Sequence, residues 1–194
     1  VLHFQESGFY VECGALDGEK RSNTLFFERF RNWNGLLIEA DPDTFKELLS
    51  KNRKALTMNA CLSPDGYPAQ LKFNKGYNRG RLMYDNTSLE WIKRKRIPEK
   101  FITVQCLPFY SILLAIGQSR IDFFSLDIEG EELSVLKTIP WDRVDIRMLT
   151  VEFVHDVGNY RGIQTYMESV GYETLIKMQR DDNTVNDLIF KKKD

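Results

Sequence analysis

The sequence predicts an α/β protein with a doubly wound, Rossmann-like sheet and helices on both faces. Short apolar stretches alternate along the chain with stretches of helical spacing, which is the pattern of a mostly parallel sheet. The first apolar stretch, residues 9–13, runs directly into a glycine turn, and acidic residues follow several of the later stretches. Ligands of such sheets bind at the carboxyl ends of the strands, so we expect a site there.

Each element follows from its local pattern. We predict strands at residues 9–13, 35–39, 69–73, 102–107, 121–126 and 147–153, followed by a closing strand pair at 172–177 and 187–191. Residues 55–62 are predicted to form the third strand and its exit. We predict helices that begin near residues 25, 44 and 131, and further helices at 110–116 and 163–170. Residues 74–100 are the least regular part, and we interpret them as an insertion or lid over the site.

The turn after the first strand carries acidic residues where many nucleotide sites carry none. Gly14 and Gly18 allow a tight turn, while Glu12 and Asp17 would repel a pyrophosphate. These carboxylates suit a cationic ligand with ribose hydroxyls or an ammonium group, and S-adenosylmethionine is such a ligand. A plain tight turn without a ligand is an equally good interpretation of this stretch alone.

A second acid, Glu39, ends the next apolar stretch. It follows the glycine turn by about 20 residues, a spacing at which a carboxylate can accept the two ribose hydroxyls of a bound nucleotide. The alternative is a carboxylate at a strand end that faces water. Pro42 follows closely and suits the first position of the next helix.

Further acids collect at the ends of later strands. Asp127 and Glu129 follow the apolar stretch 121–126, and Glu152 ends the next one, with His155 just beyond it. Because the strand before Asp127 is apolar throughout, we expect this carboxylate at the bottom of the cleft. Glu131 and Glu132 fit a different role, since acids are favourable at helix starts.

Composition describes an ordinary globular chain. The 194 residues carry a formal net charge of −1, so nucleic acid is not an expected partner. We find no apolar run long enough to cross a bilayer and no signal peptide, and we expect a soluble domain that was part of a longer protein. The three cysteines are too few for a disulfide scaffold, and each lies in an apolar stretch where it can act as a small hydrophobe.

Two local features leave alternatives open. The basic run 93–96 lies near Trp91, Phe101, Tyr77 and Tyr84, and it could contact nucleic acid or an acidic membrane surface. A solvated helix face is the favoured interpretation, because the whole chain is not basic. Residues 86–88 form a glycosylation sequon, which matters only in a secretory lumen.

Several motifs occur in an order that resembles one known family. They are Val-Glu-Cys-Gly-Ala-Leu-Asp-Gly at 11–18, Ser-Asn-Thr at 22–24, Leu-Ile-Glu-Ala-Asp-Pro at 37–42, Asn-Ala-Cys-Leu-Ser at 59–63, the block Ile-Asp-Phe-Phe-Ser-Leu-Asp-Ile-Glu-Gly-Glu-Glu at 121–132, Val-Leu at 135–136 and Thr-Val-Glu at 150–152. Together they make the chain similar to the FkbM-type family of S-adenosylmethionine-dependent methyltransferases. The residues of the first two motifs are most similar to those of an animal branch of this family, which includes the trafficking protein Star.

The resemblance implies a fold and a cofactor. Residues 1–194 would form one domain with a seven-stranded sheet whose last strand is antiparallel, plus an inserted segment near 69–107. The cofactor would be S-adenosylmethionine or its product S-adenosylhomocysteine, and the reaction would methylate a hydroxyl of a small molecule, glycan or lipid. The implied cofactor residues are Glu12, Gly14, Ala15, Asp17, Asn23, Thr24, Glu39, Ala60, Cys61 and Asp127. Among these, Glu39 would take the ribose hydroxyls, and Ala60 and Cys61 would lie near the adenine.

Catalysis needs a group that removes the hydroxyl proton. The candidates are Asp127, His155 and Glu152; for His155 the alternative is a surface histidine. Asp127 and Glu152 also end neighbouring strands, where a Mg²⁺ ion would find the oxygen ligands it prefers. The alternative function is a non-catalytic, Star-like binding module that carries protein cargo, as part of a membrane-anchored protein of the endoplasmic reticulum or Golgi.

Overall fold

The computed structural model describes residues 5–83, 86–153, 160–179 and 185–193. Within them the strands are β1 Phe9–Cys13, β2 Asn34–Glu39, β3 Leu56–Asn59, β4 Cys61–Leu62, β5 Ala69–Asn74, β6 Arg81–Leu82, β7 Phe101–Leu107, β8 Arg120–Ile121, β9 Phe123–Leu126, β10 Asp145–Ile146, β11 Met148–Glu152, β12 Tyr172–Gln179 and β13 Val185–Lys192. The α-helices are α1 Leu25–Arg31, α2 Pro42–Ser50, α3 Asn86–Arg94, α4 Phe109–Ala115, α5 Glu132–Thr138 and α6 Tyr160–Ser169, and a 3-10 helix covers Tyr77–Arg79.

The main sheet confirms the predicted fold class. Its seven strands lie in the order β12–β13–β11–β9–β1–β2–β3. The strands β3, β2, β1, β9 and β11 pair in parallel, whereas β13 runs antiparallel to both of its neighbours, β11 and β12. The last strand of the chain is therefore the antiparallel one, and the closing strand pair is confirmed. That residues 1–194 form one domain stays a prediction.

Alternating side chains on the strands build two cores, one on each face of the sheet. In β1, Val11 and Cys13 join a large core with residues of α4, α5 and α6, whereas Tyr10 joins a second core with residues of α1 and α2. All three side chains are buried. Because successive residues of a strand point to opposite faces, apolar residues at both alternating sets of positions predict a strand that is covered on both sides.

The segment between β3 and α4 forms a second, smaller sheet of order β4–β7–β5–β6. The predicted insertion near residues 69–107 covers three of its strands, but the sheet begins earlier, at Cys61. Residues 55–62, predicted as the third strand and its exit, divide between the two sheets: β3 pairs with β2 in the main sheet, whereas β4, in the exit, pairs with β7. The chain thus changes sheets at Ala60, directly beside the carboxyl end of β2.

Two of the three cysteines form a disulfide, which corrects the expectation that each acts as a small hydrophobe. Cys61 and Cys106 are opposite residues of the parallel pair β4 and β7, with Cα atoms 4.3 Å apart. Cys13 is free and buried in the main core. The disulfide joins the two ends of the inserted segment, so it ties the small sheet together at its point of exit from the main sheet.

Candidate active site

A cavity of about 330 Å³ lies at the carboxyl ends of the main-sheet strands, under the inserted segment. Most of the predicted site residues line it: Glu12, Gly14, Ala15, Asn23, Glu39, Ala60, Cys61, Asp127 and Glu152. The side chains of Asp17 and Thr24 do not line it, and His155 lies outside the described residues. The topology therefore brings together residues that are more than a hundred positions apart in the chain.

The turn after β1 is packed against both neighbouring strands. The backbone N–H groups of Gly14 and Ala15 donate to the carbonyl oxygen of Ile38, at 3.0 and 3.1 Å. Gly14 has a φ of +76°, and a Cβ atom at this position would lie 1.8 Å from the backbone oxygen of Asp127. Only glycine allows this approach, because any side chain would collide with the chain after β9.

Glu12 is buried and serves the loop that follows the turn. Its carboxylate accepts hydrogen bonds from Ser22 Oγ at 2.7 Å, Thr24 Oγ1 at 2.5 Å and the backbone N–H of Asn23 at 2.7 Å. Burial raises the pKa of the Glu12 carboxyl. Asn23 Nδ2 in turn donates to Ser125 Oγ at 3.0 Å, which fastens the loop to β9. A direct contact of Glu12 and Thr24 with cofactor stays a prediction.

Glu39 ends β2 at the cavity wall with both carboxylate oxygens held by the backbone. Oε2 accepts from the N–H of Leu16 at 2.9 Å, and Oε1 accepts from the N–H of Asp41 at 2.8 Å. Each oxygen keeps a lone pair for a further donor. Burial raises the pKa of Glu39 to about 7. The side chain is thus fixed in position and able to accept two ligand hydroxyls.

Asp17 stabilises the same turn from the side that faces away from the cavity. Its Oδ1 accepts from the backbone N–H groups of Glu19 at 3.0 Å and Lys20 at 2.8 Å, and its Oδ2 lies 3.4 Å from Lys20 Nζ. The side chain is 1% exposed and stands outside the cavity lining. Its geometry shows a role in the turn, and a contact with cofactor stays a prediction.

Three acids meet on the floor of the cavity. Asp127, Glu129 and Glu152 each place a carboxylate oxygen within 4.8 Å of the others. Burial, a hydrogen bond to Glu152 and the nearby negative charges raise the pKa of Asp127 well above its usual value. Carboxylates this close share a proton or a cation at neutral pH. The cluster can therefore accept a proton or hold a hard metal ion.

Glu132 corrects a prediction. The sequence predicts an acid at a helix start that is solvated or caps the helix. Glu132 does begin α5, but its side chain is buried and accepts from the backbone N–H groups of Ile128 at 3.0 Å and Gly130 at 3.1 Å. Burial raises its pKa to about 7. Glu132 thereby fixes the loop that presents the three acids, in which Glu129 has a φ of +63°.

The inserted segment covers the cavity, as predicted for residues 74–100. Tyr77 accepts a hydrogen bond from Lys20 Nζ at 3.1 Å, which joins the insertion to the loop after β1. Trp91 lines the cavity and is 7% exposed, and the guanidinium of Arg81 stacks 4.6 Å from its ring centroid. Tyr84 lies outside the described residues. The aromatic residues Tyr77 and Trp91 therefore face the cavity rather than forming a separate surface patch.

The fold and the site geometry agree with the result of a family comparison. Residues 12–174 match the model of the methyltransferase FkbM domain. The chain belongs to the FkbM methyltransferase domain family. Membership in this methyltransferase family implies the use of S-adenosylmethionine. No sequence among the curated proteins matches the chain.

Solved structures share the fold of this FkbM domain. The FkbM methyltransferase of Methylobacillus flagellatus is 16% identical with a TM-score of 0.65, over 98% of this chain and 45% of that protein. The methyltransferase domain of METTL16 is 12% identical with a TM-score of 0.55, over 100% and 63%. The structure of M. capricolum TrmK, in complex with S-adenosylhomocysteine, is 12% identical with a TM-score of 0.50, over 98% of this chain and 64% of that protein. This chain thus spans about half of the M. flagellatus protein.

No sequence feature indicated one buried residue that supports the turn beside the cavity. Arg53 is 2% exposed in its side chain and pairs with Glu28 at 3.0 Å. It also donates to the hydroxyl of Tyr10 at 3.1 Å and to the carbonyl oxygen of Gly18. This buried network holds the second glycine of the turn. A lone Arg near a helix end resembles a surface residue, so only the folded contacts reveal it.

Proposed function

We propose that this domain binds S-adenosylmethionine in the cavity and transfers its methyl group to a hydroxyl of a small molecule, glycan or lipid. The observation that carries the proposal is the fixed position of the Glu39 carboxylate. The backbone N–H groups of Leu16 and Asp41 hold it at the cavity wall, next to the turn at Gly14. A fixed carboxylate there suits the two ribose hydroxyls. Ala60 and Cys61 offer a small, largely apolar wall for the adenine.

When bound, S-adenosylmethionine would supply a methyl group on a sulfonium: a bond from the acceptor oxygen to the methyl carbon would form as the carbon–sulfur bond breaks, releasing S-adenosylhomocysteine as the leaving group and one proton from the hydroxyl. The protein mainly orients the two reactants. The Asp127–Glu152 pair is the group placed to take the proton, because the raised pKa of Asp127 makes its carboxylate a stronger base than an exposed one. His155 remains a second candidate for this role.

The same acids suit a divalent ion. Asp127 and Glu152, joined by Glu129, offer three carboxylate oxygens close together, the donor type that Mg²⁺ prefers. A Mg²⁺ ion held there would lower the pKa of an acceptor hydroxyl. Methyl transfer measured in EDTA and again with added Mg²⁺ tests the proposed metal ion. Full activity in EDTA would contradict a requirement for Mg²⁺.

The location we propose is a secretory lumen, with the domain as part of a membrane-anchored protein of the endoplasmic reticulum or Golgi. The Cys61–Cys106 disulfide supports an oxidising compartment, and the sequon at 86–88 agrees with it. Among the described residues, no helix combines the length and the apolar character needed to cross a bilayer. Glycosidase treatment of the protein from animal cells, followed by mass measurement, tests the proposal.

A second candidate function is the Star-like, non-catalytic module that binds protein cargo. The observation that favours it is the exposed aromatic pair Phe26 and Phe30 on α1, with 47% and 67% of their surfaces in solvent. In this case the cavity would bind cofactor without turnover. Transfer of a labelled methyl group to any acceptor decides for the enzyme.

Calorimetry with S-adenosylhomocysteine tests the proposed function. We expect binding by the parent domain, and we expect Glu39→Ala to weaken it by about 1–3 kcal/mol because the ribose hydroxyls lose their acceptor. Glu47→Ala is the matched control, since Glu47 is an exposed acid on α2 outside the cavity. No binding at millimolar ligand, with the fold intact by circular dichroism, would refute cofactor binding.

A further inference from the structure

The inserted segment differs in charge from the rest of the chain. Residues 69–107 contain nine Lys or Arg residues and three Asp or Glu residues, whereas the whole chain has a net charge of −1. This basic segment covers a cavity whose strand-end wall is acidic. The two walls of the cavity therefore have opposite charge, and they suit different parts of the bound reactants.

Three of the cations that line the cavity have no partner within the part of the chain that the structure describes. Among the described residues, the side chains of Arg21, Arg79 and Lys95 make no ion pair or hydrogen bond, although all three line the cavity. Other cations nearby are engaged: Lys20 contacts Asp17 and Tyr77, and Lys75 pairs with Asp41 at 3.4 Å. The three unpaired cations are thus available to a ligand.

The fold brings these cations to the lining of one cavity. The hydrogen bond from Lys20 to Tyr77 joins the two segments that carry Arg21 and Arg79, each within two residues of the contact. Lys95 lies one helical turn after Trp91, whose carbonyl oxygen accepts from the Lys95 N–H at 2.9 Å. Residues four apart share a helix face, which explains why Trp91 and Lys95 both line the cavity.

S-adenosylmethionine does not account for three cations. It carries one carboxylate, while its sulfonium, ammonium and ribose hydroxyls are matched by acids such as Glu39 and Asp127. Arg21 adjoins the cofactor turn, but Arg79 and Lys95 belong to the insertion, beside the aromatic surface of Trp91. The surplus positive charge is therefore on the side of the cavity where an acceptor would enter.

We propose that the acceptor is a small hydroxy compound that carries a phosphate or carboxylate group, recognised by Arg79 and Lys95. The inference rests on the proposed function and narrows its substrate class. Both side chains donate charge-assisted hydrogen bonds to such oxyanions, and the guanidinium can bind two oxygens at once. The exposed Lys93, Arg94 and Arg96 continue the positive surface away from the cavity and raise the encounter rate with anions.

The test is calorimetry on the domain saturated with S-adenosylhomocysteine, so that the cofactor carboxylate already has its partner. The probes are glucose 6-phosphate, glucuronate and glucose. We expect binding of at least one anionic sugar and at least about tenfold weaker binding of glucose. Whichever anion binds more tightly identifies phosphate or carboxylate as the recognised group. Equal binding of glucose overturns the proposal, and so does the absence of binding by both anions.

Variants assign the effect to the named residues. Arg79→Gln and Lys95→Gln are each expected to weaken binding of the anionic sugar about five- to tenfold, with affinity for S-adenosylhomocysteine unchanged. Lys93→Gln is the control, because this exposed lysine of α3 does not line the cavity. If the two variants weaken cofactor binding instead, the cations serve the cofactor and the proposal is wrong.

Two further outcomes separate this proposal from others. If a single-stranded RNA of about 20 nucleotides binds and neither anionic sugar does, the basic segment is a nucleic-acid surface and the proposal fails. If S-adenosylhomocysteine itself does not bind, the proposed function fails; the sugar titrations are then repeated on the ligand-free domain. If the ligand-free domain binds glucose as tightly as the anionic sugars, the proposal of an anionic acceptor is wrong, whatever the outcome for the cofactor.

Discussion

Gly14 and the backbone of Asp127 lie so close that a Cβ atom on residue 14 would be 1.8 Å from the carbonyl oxygen of residue 127. The contact joins the end of β1 to the end of β9, and the N–H of Asp127 also donates to the carbonyl oxygen of Cys13 at 3.2 Å. The turn beside the cavity and the loop that carries the acids are therefore one packed unit. A change on either side is expected to move both.

Replacement of Gly14 by alanine tests this contact. We expect Gly14→Ala to lower the free energy of unfolding by more than about 3 kcal/mol, because the methyl group collides with backbone and the φ of +76° is strained for alanine. Gly117→Ala is a matched control, since Gly117 has a φ of +69° with open space around it, and it should cost about 1–2 kcal/mol. Urea unfolding measures both. Equal losses would contradict the importance of the contact.

The raised pKa of Glu39 predicts a pH dependence of cofactor binding. In the role that we propose for Glu39, the ribose hydroxyls would donate to the ionised carboxylate, so ligand binding would have to displace the proton that burial favours below a pKa of about 7. We expect affinity for S-adenosylhomocysteine to be constant well above that pH and to fall about tenfold per pH unit well below it. In Glu39→Gln the affinity should be lower and should lose this dependence. A flat profile from acidic to alkaline pH in the parent would exclude the assigned role.

The same pKa affects stability with a definite sign. The ordinary pKa of this carboxyl is 4.5 and its folded value is about 7, so between these values the folded state holds the proton more tightly than the unfolded state. Its contribution to the free energy of unfolding therefore falls as pH rises through that interval and stays constant above it. Glu132, with a pKa of about 7 for the same reason, acts in the same direction.

We expect the Asp127 side chain to support the activity of the domain while it lowers the stability of the fold. Its raised pKa shows that the ionised form is unfavourable beside Glu152 and Glu129, so Asp127→Asn should stabilise the fold in metal-free buffer at pH 8, by about 0.5–2 kcal/mol. The same change should impair methyl transfer or cofactor binding more than Glu131→Ala does. Thermal unfolding and a transfer assay measure the two effects. If both variants bind and react like the parent, our placement of the site is wrong.

The disulfide between Cys61 and Cys106 is expected to stabilise the protein by closing the inserted segment. Its partners are 45 positions apart, and we expect Cys61→Ser combined with Cys106→Ser to lower the free energy of unfolding by about 2–4 kcal/mol. Reductant should lower the thermal midpoint of the parent and leave the double variant unchanged. Before unfolding, thiol labelling should find no reactive cysteine, because Cys13 is buried. Two additional thiols in the oxidised, denatured protein would disprove the bond.

Much of the fold is evident in the sequence because it depends on local patterns. The strands β1, β2, β9 and β11 are rich in apolar residues at both alternating sets of positions, which predicts buried parallel strands. The start of α2 was also predicted: Pro42 occupies its first position, and Asp41 accepts from the N–H of Asp43 at 2.9 Å. Once the strands are parallel, their carboxyl ends share one edge, so Glu39, Asp127 and Glu152 must gather there.

Other features depend on contacts that no local pattern contains. The split of residues 55–62 between two sheets follows from pairing with β7, which begins some forty residues later. Likewise, Asp17 and Glu12 have the same chemistry and lie at the same turn, yet only Glu12 lines the cavity. Which way each carboxylate points depends on the N–H groups that the folded loop offers it.

The sequence by itself determined the α/β class, the parallel strands and the edge where the acids collect, because spacing and apolar runs decide these within a few residues. Tertiary structure alone decided the Cys61–Cys106 bond, the buried pairing of Arg53 with Glu28, and the position of Arg79 and Lys95 at the cavity. The physical reason is that burial, ion pairing and a shared cavity are properties of distances between segments, and these distances exist only after the inserted sheet has folded over the strand ends.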